Sequence, residues 1–470
     1  MARGRNTVYG KDFDFDHIGS YDDFRNRVPL AGYESLKPYI ERAAMGEADV
    51  LWPGHPKYFA KTSGTTSGSK YIPITPDSIH NHINTARNAL LVYMKRSGNY
   101  RFADHSMIFL QGSPILEKKG VIAAGRLSGI VAHHVPSYLQ KNRMPSWETN
   151  CIGNWEEKVD AIVEETLMRR MSLISGIPSW LRMYFEKLVL KTGKSVGKIF
   201  PDFSLLVYGG LNFEPYRSGI KQLIGRSVDT LETYPASEGF IAFQDGEPGE
   251  GLLLNINSGI FFEFIPMPGI HKDPPPRLSL DEVETGIDYA VVLSSNAGLW
   301  AYELGDTVRF VSLHPHRVLV TGRVSQFISA FGEHVIASEV EEALAETCKA
   351  GGVQVAEFTV APQVNPSEGL PHHEWLIEFG ILPEQTDSFA EQLDLAMRSK
   401  NPYYDDLVKG KVLQALKITI LPKGTFKNYL EKEGKLGGQN KVVHVADNRK
   451  LAVGLLALLN REQPPSLPLK

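Results

Sequence analysis

The segment "SGIPSWLRMYFEKLVLK" (residues 175–191), together with "SLLVYGG" (204–210) that follows it, decides the fold class. Pro178 lies where the first turn of a helix would begin, and the apolar spacing after it favours a helix. "SLLVYGG" is short, rich in apolar residues and ends at glycine, which is typical of a buried parallel strand. The pair predicts a helix that leads into a buried strand.

The residues before this segment repeat the pattern. "SMIFLQG" (106–112) has the same strand character, and "NWEEKVDAIVEETLMRRM" (154–171) predicts a helix that Asn154 caps. Strands therefore alternate with helices over residues 60–235. That alternation predicts an α/β fold with a doubly wound, mostly parallel sheet.

Composition places the chain among soluble globular proteins. Its 470 residues are 42% hydrophobic and 22% charged, with a formal charge of −4. The sequence pI of about 6.4 gives no basic field for nucleic acid.

Cys151 and Cys348 are too few for a disulfide framework or a zinc site. No secretory signal and no apolar run of ~20 residues is apparent. We expect a cytoplasmic protein without nucleic-acid or membrane partners; its oligomeric state is open between monomer and homodimer.

The residue composition changes after the α/β segment. Residues 245–320 are rich in β-branched and aromatic residues, and they predict a small β-barrel or antiparallel sheet. From 323 onward, strands and helices alternate again, which predicts a smaller α+β domain. We therefore expect a large domain over 1–322 and a small domain over 323–470.

A loop rich in hydroxyl groups precedes the α/β segment. "KTSGTTSGSKYIPIT" (61–75) supplies what a phosphate-binding loop needs: exposed backbone N–H groups, glycines, hydroxyl donors and a lysine. Its spacing is not that of a Walker loop, because Gly64 and Gly68 are separated by three residues and Tyr71 follows Lys70. A mobile Ser/Gly turn has the same composition. The loop alone leaves both interpretations open.

Two later segments carry groups suited to a nucleotide. "TLETYPASEGF" (230–240) follows a strand pattern and offers an aromatic ring and the carboxylate of Glu238 for magnesium. "AYELGDTVRF" (301–310) places Asp306 in a turn between strands, where it can accept from two ribose hydroxyls. Structural alternatives are a capping role for Glu238, a hairpin aspartate at 306 and core aromatics at Tyr234 and Tyr302.

Three short motifs in these segments resemble those of the adenylate-forming superfamily. They are "TSGTT" (62–66), "YPASE" (234–238) and "YELGD" (302–306). They are most similar to those of the plant auxin- and jasmonate-conjugating acyl acid amido synthetases (the Gretchen Hagen family) and their bacterial relatives. "TGRVSQFISAFGEHVIASEVEEAL" (321–344) resembles the superfamily hinge, and "GTFKNYLEKEGKLGGQNKVV" (424–443) resembles the end of the family's chains.

The resemblance implies an ATP- and Mg²⁺-dependent ligase. Such an enzyme activates a carboxylic acid as an acyl adenylate and transfers the acyl group to an amine or amino acid, forming an amide. The resemblance also implies that the small domain is mobile and supplies a lysine. The implied ATP-binding residues are Ser63, Gly64, Thr65, Thr66, Tyr234, Ser237, Glu238, Asp306 and Arg323, with Glu238 as the magnesium ligand. The implied catalytic residues are Lys441, Glu238 and Thr66.

The acid pocket is expected in helices of the large domain, and its candidate residues are Leu127, Val131, Ile177, Trp180 and Leu181, although such residues also build cores. His133 and His134 are adjacent and point in different directions, so a structural or surface role is expected for at least one of them. Lys423 and Lys435 flank turns and are weaker alternatives to Lys441.

Two departures from the plant pattern bear on substrate identity. Glu303 stands where plant members carry a basic residue, and 442–444 reads Val-Val-His in place of a Pro-Arg continuation. Two other functions remain open from the sequence: an acyl-CoA ligase that shares the adenylation step, and a non-catalytic nucleotide-binding scaffold. Intact Glu238, Asp306 and Lys441 count against the scaffold.

Overall fold

The chain forms two compact units. The computed structural model describes residues 1–63, 69–135, 140–210, 213–270, 272–324, 327–328, 333, 335–434, 442–446 and 448–462. The larger unit comprises Met1–Leu211 and Lys221–Val320, and the smaller comprises Asn212–Ile220 and Thr321–Lys470.

The secondary structure of the described residues follows the predicted alternation. The strands are β1 (Tyr58–Ser63), β2 (Ser69–Ile74), β3 (Ser106–Phe109), β4 (Glu117–Lys119), β5 (Ile122–Gly125), β6 (Arg143–Met144), β7 (Met171–Gly176), β8 (Leu205–Gly209), β9 (Asp229–Ala236), β10 (Gly239–Phe243), β11 (Leu252–Leu254), β12 (Ile260–Pro266), β13 (Asp288–Ser295), β14 (Tyr302–Leu313), β15 (His316–Arg323), β16 (Phe327–Ile328), β17 (Val335–Ile336), β18 (Gln354–Gln363), β19 (His372–Ile381) and β20 (Lys417–Leu421). The helices are α1 (Val8–Asp12), α2 (Tyr21–Arg27), α3 (Tyr33–Ala44), α4 (Ile79–Ser97), α5 (Leu127–Ala132), α6 (Trp147–Asn150), α7 (Trp155–Leu167), α8 (Pro178–Thr192), α9 (Val196–Ile199), α10 (Glu214–Ile224), α11 (Ala337–Gly351), α12 (Thr386–Lys400), α13 (Pro402–Lys409), α14 (Thr425–Lys432) and α15 (Lys450–Glu462).

Local sequence signals set several helix ends. Asn154 Oδ1 accepts from the backbone N–H groups of Glu156 and Glu157 at 3.0 and 3.1 Å, which caps α7 as predicted. Pro178 opens α8, where its missing N–H needs no partner. From the sequence, Ser338 is predicted to cap the helix that follows the hinge segment; this prediction is wrong, because α11 begins at Ala337 and Ser338 lies inside the helix.

A sheet of eleven strands organises the larger unit. Its order is β12-β13-β14-β15-β11-β10-β9-β8-β7-β3-β6, and β9-β8-β7-β3-β6 are parallel. Strand β3 lies between β6 and β7, so the winding reverses there, which is where open α/β sheets bind ligands. Helix α4 packs on this sheet through Ala89 and Tyr93, which join the core residues Leu173 and Leu205. The predicted doubly wound α/β class is confirmed.

The β-rich residues continue the same sheet, because β10 pairs with both β9 and β11. Their strands are antiparallel and strongly curled. Five strand steps of about 4.8 Å separate β12 from β10 along the sheet, about 24 Å if it were flat. Yet a Cβ added at Gly239 of β10 would lie 2.5 Å from Ile260 Cδ1 of β12. The antiparallel half thus rolls up like a small barrel within one continuous sheet.

A second sheet of the larger unit, ordered β2-β1-β5-β4, carries the hydroxyl-rich segment. Strands β1 and β2 form an antiparallel pair from Tyr58↔Ile74 to Ser63↔Ser69. The connecting residues 64–68 lie outside the described part of the chain. Thr75, just after β2, donates through Oγ1 to Asn296 O at 2.7 Å and so fixes the hairpin base near the curled sheet.

The smaller unit is an α+β structure. Strand β18 is antiparallel to β19, and β19 is parallel to β20. Side chains of α11 and α12, among them Val340 and Leu393, pack with Trp375 and Ile377 of β19 into one core. Within the described residues, no helix is both long enough and apolar enough to cross a membrane.

Candidate active site

The second and third motifs meet through one hydrogen bond. Tyr234 Oη donates to Asp306 Oδ2 at 2.7 Å. The curled sheet makes this contact possible, since β9 and β14 are four strand steps apart in its order, about 19 Å if flat. Tyr234 is 6% exposed and Asp306 is half-buried, so packing as well as the hydrogen bond holds the tyrosine side chain in place. The fold therefore brings the side chains of two motifs that are distant in sequence into contact.

The second motif is the tip of a hairpin. Ala236 of β9 faces Gly239 of β10, so Ser237 and Glu238 form the two-residue turn between the strands. Strand β9 runs to Ala236, two residues beyond Tyr234. Both turn residues are half-buried. A tight turn on a paired hairpin holds the Glu238 carboxylate on a rigid support.

The third motif lies in a bulge. Ala290 and Val292 of β13 face Thr307 and Glu303, so three residues of β14 stand opposite Val291. Gly305, in the middle, has φ +84°, a backbone conformation that glycine adopts most easily. The predicted turn between strands is therefore wrong: Asp306 lies within a bulged strand, and the bulge directs its side chain toward Tyr234.

The structure describes only the first two residues of the first motif. Thr62 lies on β1, Ser63 is the last residue of that strand, and Gly64, Thr65 and Thr66 lie outside the described residues. After the loop, Lys70 of β2 lies with its Nζ 5.8 Å from the centre of the Tyr33 ring. Burial raises the pKa of the Glu303 carboxyl, and the nearby Lys70 partly offsets this increase. The strand that leaves the loop thus lies close to the third motif.

Arg323 and the candidate lysines are the other charged residues to which the sequence assigned a role. Arg323 is exposed at the end of β15, and Lys423 is exposed in the turn before α14. Lys441 and Lys435 lie outside the described residues. The roles predicted for these four side chains stay predictions.

The predicted pocket residues divide into two groups. Leu127, Val131 and Ile177 are half-buried. Trp180 is buried, with its ring 4.1 Å from that of Trp155, and Leu181 has no exposed surface. The first group can line a cavity, whereas the second belongs to the packed interior; their contact with an acid remains a prediction.

The adjacent histidines make separate structural contacts. His133 Nε2 is 2.8 Å from Pro114 O, and His134 Nε2 is 3.2 Å from Tyr58 Oη. The two rings therefore point to different neighbours and are not arranged as an acid–base pair.

Sequence reasoning missed cations near the candidate pocket. Arg126, directly before α5, is half-buried, and burial lowers the pKa of its guanidinium. Among the described residues, no carboxylate forms a salt bridge with it. Lys158 is 2% exposed and donates to Gln111 O and Asn150 O at 3.0 and 2.7 Å, and burial lowers its pKa to about 8. A lone arginine gives no sequence signal, because its burial is set by distant segments.

A metal would have few protein ligands here. The described residues contain no group of three or more His, Cys, Asp or Glu side chains that could hold a metal ion. Mg²⁺ commonly binds through one or two carboxylates plus substrate phosphates. The single carboxylate of Glu238 on its rigid turn fits that kind of site.

Comparisons with known proteins agree with these motifs. Sequence models of the GH3 family match its N-terminal domain to residues 1–152, its central domain to 253–323 and its C-terminal domain to 338–450. The chain belongs to the GH3 family. The central-domain match contains the third motif, and the C-terminal match contains Lys441.

Relatives within the GH3 family are distant but extend over most of the chain. Jasmonoyl--L-amino acid synthetase GH3.5 of Oryza sativa subsp. japonica is 23% identical over 512 residues, covering 92% of this chain and 87% of that protein. Indole-3-acetic acid-amido synthetase GH3.2 of Arabidopsis thaliana is 23% identical over 395 residues, covering 67% and 70%. These GH3 members are amido synthetases, which confirms the predictions of the family and of an amide-forming ligase.

Solved structures share the fold. GH3.15 acyl acid amido synthetase superposes with a TM-score of 0.78 at 16% identity, over 97% of this chain and 91% of that one. A 2-hydroxyisobutyryl-CoA ligase in the postadenylation state gives 0.61 at 12% identity, over 97% and 88%. The GH3 fold of this chain is thus also the fold of an adenylate-forming CoA ligase.

Proposed function

We propose that this protein uses ATP to convert a carboxylic acid to an acyl adenylate and then transfers the acyl group to an amino acid. The observation that carries the proposal is the hydrogen bond from Tyr234 to Asp306, because it brings together the second and third motifs, whose side chains would hold the nucleotide. The third motif also lies close to β2, the strand that leaves the hydroxyl-rich loop. ATP would need groups for its nucleoside and for its phosphates close together, and these segments supply both kinds of group.

The nucleoside would bind at the Tyr234–Asp306 pair. The Asp306 carboxylate has lone pairs on both oxygens and can accept ribose hydroxyls in addition to the tyrosine. Because the hydroxyl of Tyr234 is bound to Asp306, its ring is held in one orientation, against which adenine can pack. We assign Arg323 to the ribose or the phosphates.

The phosphates would bind at the first motif. Backbone N–H groups and hydroxyls of Ser63, Gly64, Thr65 and Thr66 would hold the β- and γ-phosphates, which leave as pyrophosphate. Ser237 would contact the same nucleotide from the hairpin turn. Glu238 would hold Mg²⁺, which neutralises phosphate charge when bound.

The chemistry replaces a poor leaving group with a good one. An oxygen of the substrate carboxylate attacks the α-phosphorus, and pyrophosphate leaves. The amine of the acceptor then attacks the acyl carbon, loses its proton and releases AMP. Negative charge develops on the α-phosphate during the first step, and Lys441 of the small domain would stabilise it. We place the domain boundary at 322/323, with the small domain moving to supply this lysine.

The acid would bind near α5. Leu127, Val131 and Ile177 are half-buried and offer apolar surface. Arg126 precedes them and forms no salt bridge with a carboxylate of the described residues. A half-buried guanidinium binds a carboxylate bidentately, which would orient the acid for attack.

Acid-dependent ATP–pyrophosphate exchange across a panel of acids tests adenylation. We expect exchange with at least one acid, and Lys441→Ala should reduce its rate strongly while ATP still binds. Absence of exchange with every acid would favour a non-catalytic scaffold.

The acceptor is tested separately by AMP release with either amino acids or CoA. We expect turnover with an amino acid. Turnover with CoA alone would replace the proposed function with that of an acyl-CoA ligase, the second candidate, whose fold this chain shares.

A further inference from the structure

A histidine near the end of the small unit lies between two carboxylates. His444 Nδ1 is 2.6 Å from Glu341 Oε1 of α11, and His444 Nε2 is 3.1 Å from Glu357 Oε1 of β18. The residue is 5% exposed, and its ring stacks on Phe358 with 4.3 Å between centroids. Both ring nitrogens are therefore bound, and the ring has a single orientation.

These contacts determine the charge of the histidine. A carboxylate oxygen only accepts hydrogen bonds, so both ring nitrogens donate and the ring is an imidazolium. Burial alone lowers the pKa of His444, but the hydrogen bonds to Glu341 and Glu357 outweigh it and raise the pKa to about 10. Glu357 also accepts from Tyr216 Oη at 3.2 Å and from Phe358 N at 3.1 Å. Neutral donors thus help to compensate the second carboxylate.

The backbone around His444 is attached to the small sheet. Val360 N donates to His444 O at 2.8 Å, and Ala446 N donates to Val360 O at 2.9 Å. Thr359 Oγ1 donates to Val443 O at 2.6 Å. These bonds make residues 442–446 a short extension beside β18. The segment begins directly after Lys441 in the sequence.

We propose that His444 is a positioning residue for adenylation. Its contacts with Glu341 and Glu357 hold residues 442–446 on β18, and this fixes the chain directly after Lys441, the residue to which the proposed function assigns the α-phosphate. The inference rests on the proposed function, since it takes the role of Lys441 from there. Without the cation, Glu341 and Glu357 repel each other and residues 442–446 loosen.

His444→Gln tests this inference, because glutamine can donate hydrogen bonds but carries no charge. We expect kcat for pyrophosphate exchange to fall about 100-fold, as for a misplaced catalytic group, with KM for ATP changed less than about twofold. The backbone amide of Ala446 should exchange hydrogen faster than in the wild type. Adding Glu341→Gln should recover part of the rate, since it removes the repulsion between the carboxylates.

Asp394→Asn provides the control for a purely structural effect. Asp394 is 4% exposed in the same unit and accepts from Tyr404 Oη at 2.7 Å and Leu416 N at 3.1 Å. We expect it to lower the thermal midpoint without changing kcat per folded molecule. An equal loss of kcat in both variants at matched stability would make His444 merely structural and overturn the inference.

Unchanged exchange at Ala446 in His444→Gln would also overturn the inference. Absence of pyrophosphate exchange in the wild type would instead overturn the proposed function. In that case the Ala446 amide still decides whether His444 anchors the segment, because hydrogen exchange does not depend on activity.

Discussion

Tyr234 and Asp306 lie 72 residues apart in the sequence, and their side chains are joined by a 2.7 Å hydrogen bond. The bond crosses the open side of a curled sheet, so it depends on the curl and also constrains it. The bond couples the second motif to the third: the Tyr234 ring and the Asp306 carboxylate cannot move independently.

Tyr234→Phe should weaken ATP binding. The variant keeps the ring but removes the donor to Asp306, and a hydrogen bond to a charged group contributes about 1.5–3 kcal/mol. We expect KM for ATP in the exchange assay to rise about tenfold or more, with little change in the acid KM. Tyr208→Phe, on the neighbouring strand β8, is the matched control and should leave KM for ATP unchanged. Equal KM for ATP in Tyr234→Phe and wild type would remove this bond from the nucleotide site.

Gly305→Ala should damage the nucleotide site as well as stability. Its φ of +84° is unfavourable for alanine by about 1–2 kcal/mol, and relief of that strain would turn Asp306 away from Tyr234. Gly286 has φ +82°, and no atom of the described residues lies within 4 Å of an added Cβ, so Gly286→Ala carries similar strain. Both variants should lower the free energy of unfolding, but only Gly305→Ala should raise KM for ATP. Identical KM values would contradict the role of the bulge.

Arg126→Gln should impair binding of the acid. If the guanidinium pairs with the substrate carboxylate, its loss removes a charge-assisted contact and should raise KM for the acid about tenfold or more, with KM for ATP little changed. Arg87 on α4 is exposed, and Arg87→Gln controls for loss of one positive charge. A normal acid KM in Arg126→Gln would place the acid elsewhere.

His82 should make the fold sensitive to acid. It is 4% exposed, its Nδ1 has no hydrogen-bond partner among the residues that the structure describes, and burial lowers its pKa from 6.5 to about 4. Below pH 6.5 the unfolded chain binds a proton that the folded chain does not, so stability falls as the pH drops from 6.5 toward 4. One such proton gives a slope of up to about 1.4 kcal/mol per pH unit.

Urea unfolding of wild type and His82→Leu between pH 7 and pH 4 measures that slope, in steps of about half a pH unit. The variant should lose less stability on acidification, because it lacks the protonation step. His80→Gln changes an exposed histidine of the same helix and should follow the wild-type curve. Parallel curves for wild type and His82→Leu would show that another group causes the acid sensitivity.

The sequence by itself determined what local chemistry controls. Asn154 and Pro178 fixed the starts of their helices, since capping and a fixed φ act within one turn. Apolar strands between helices determined the α/β class, and three ordered motifs identified the family. The sequence placed Asp306 in a turn, because a bulge exists only relative to the partner strand and cannot be read from one segment. It also placed the start of α11 one residue too late, at Ser338.

Only the tertiary structure decided which distant groups meet. The contact between Tyr234 and Asp306 follows from the curl of the sheet, which arises from pairing among many strands. The burial of Arg126 and the double contact of His444 likewise depend on segments far along the chain. Burial and counter-charges set the protonation of such groups, and no local pattern of residues encodes either one.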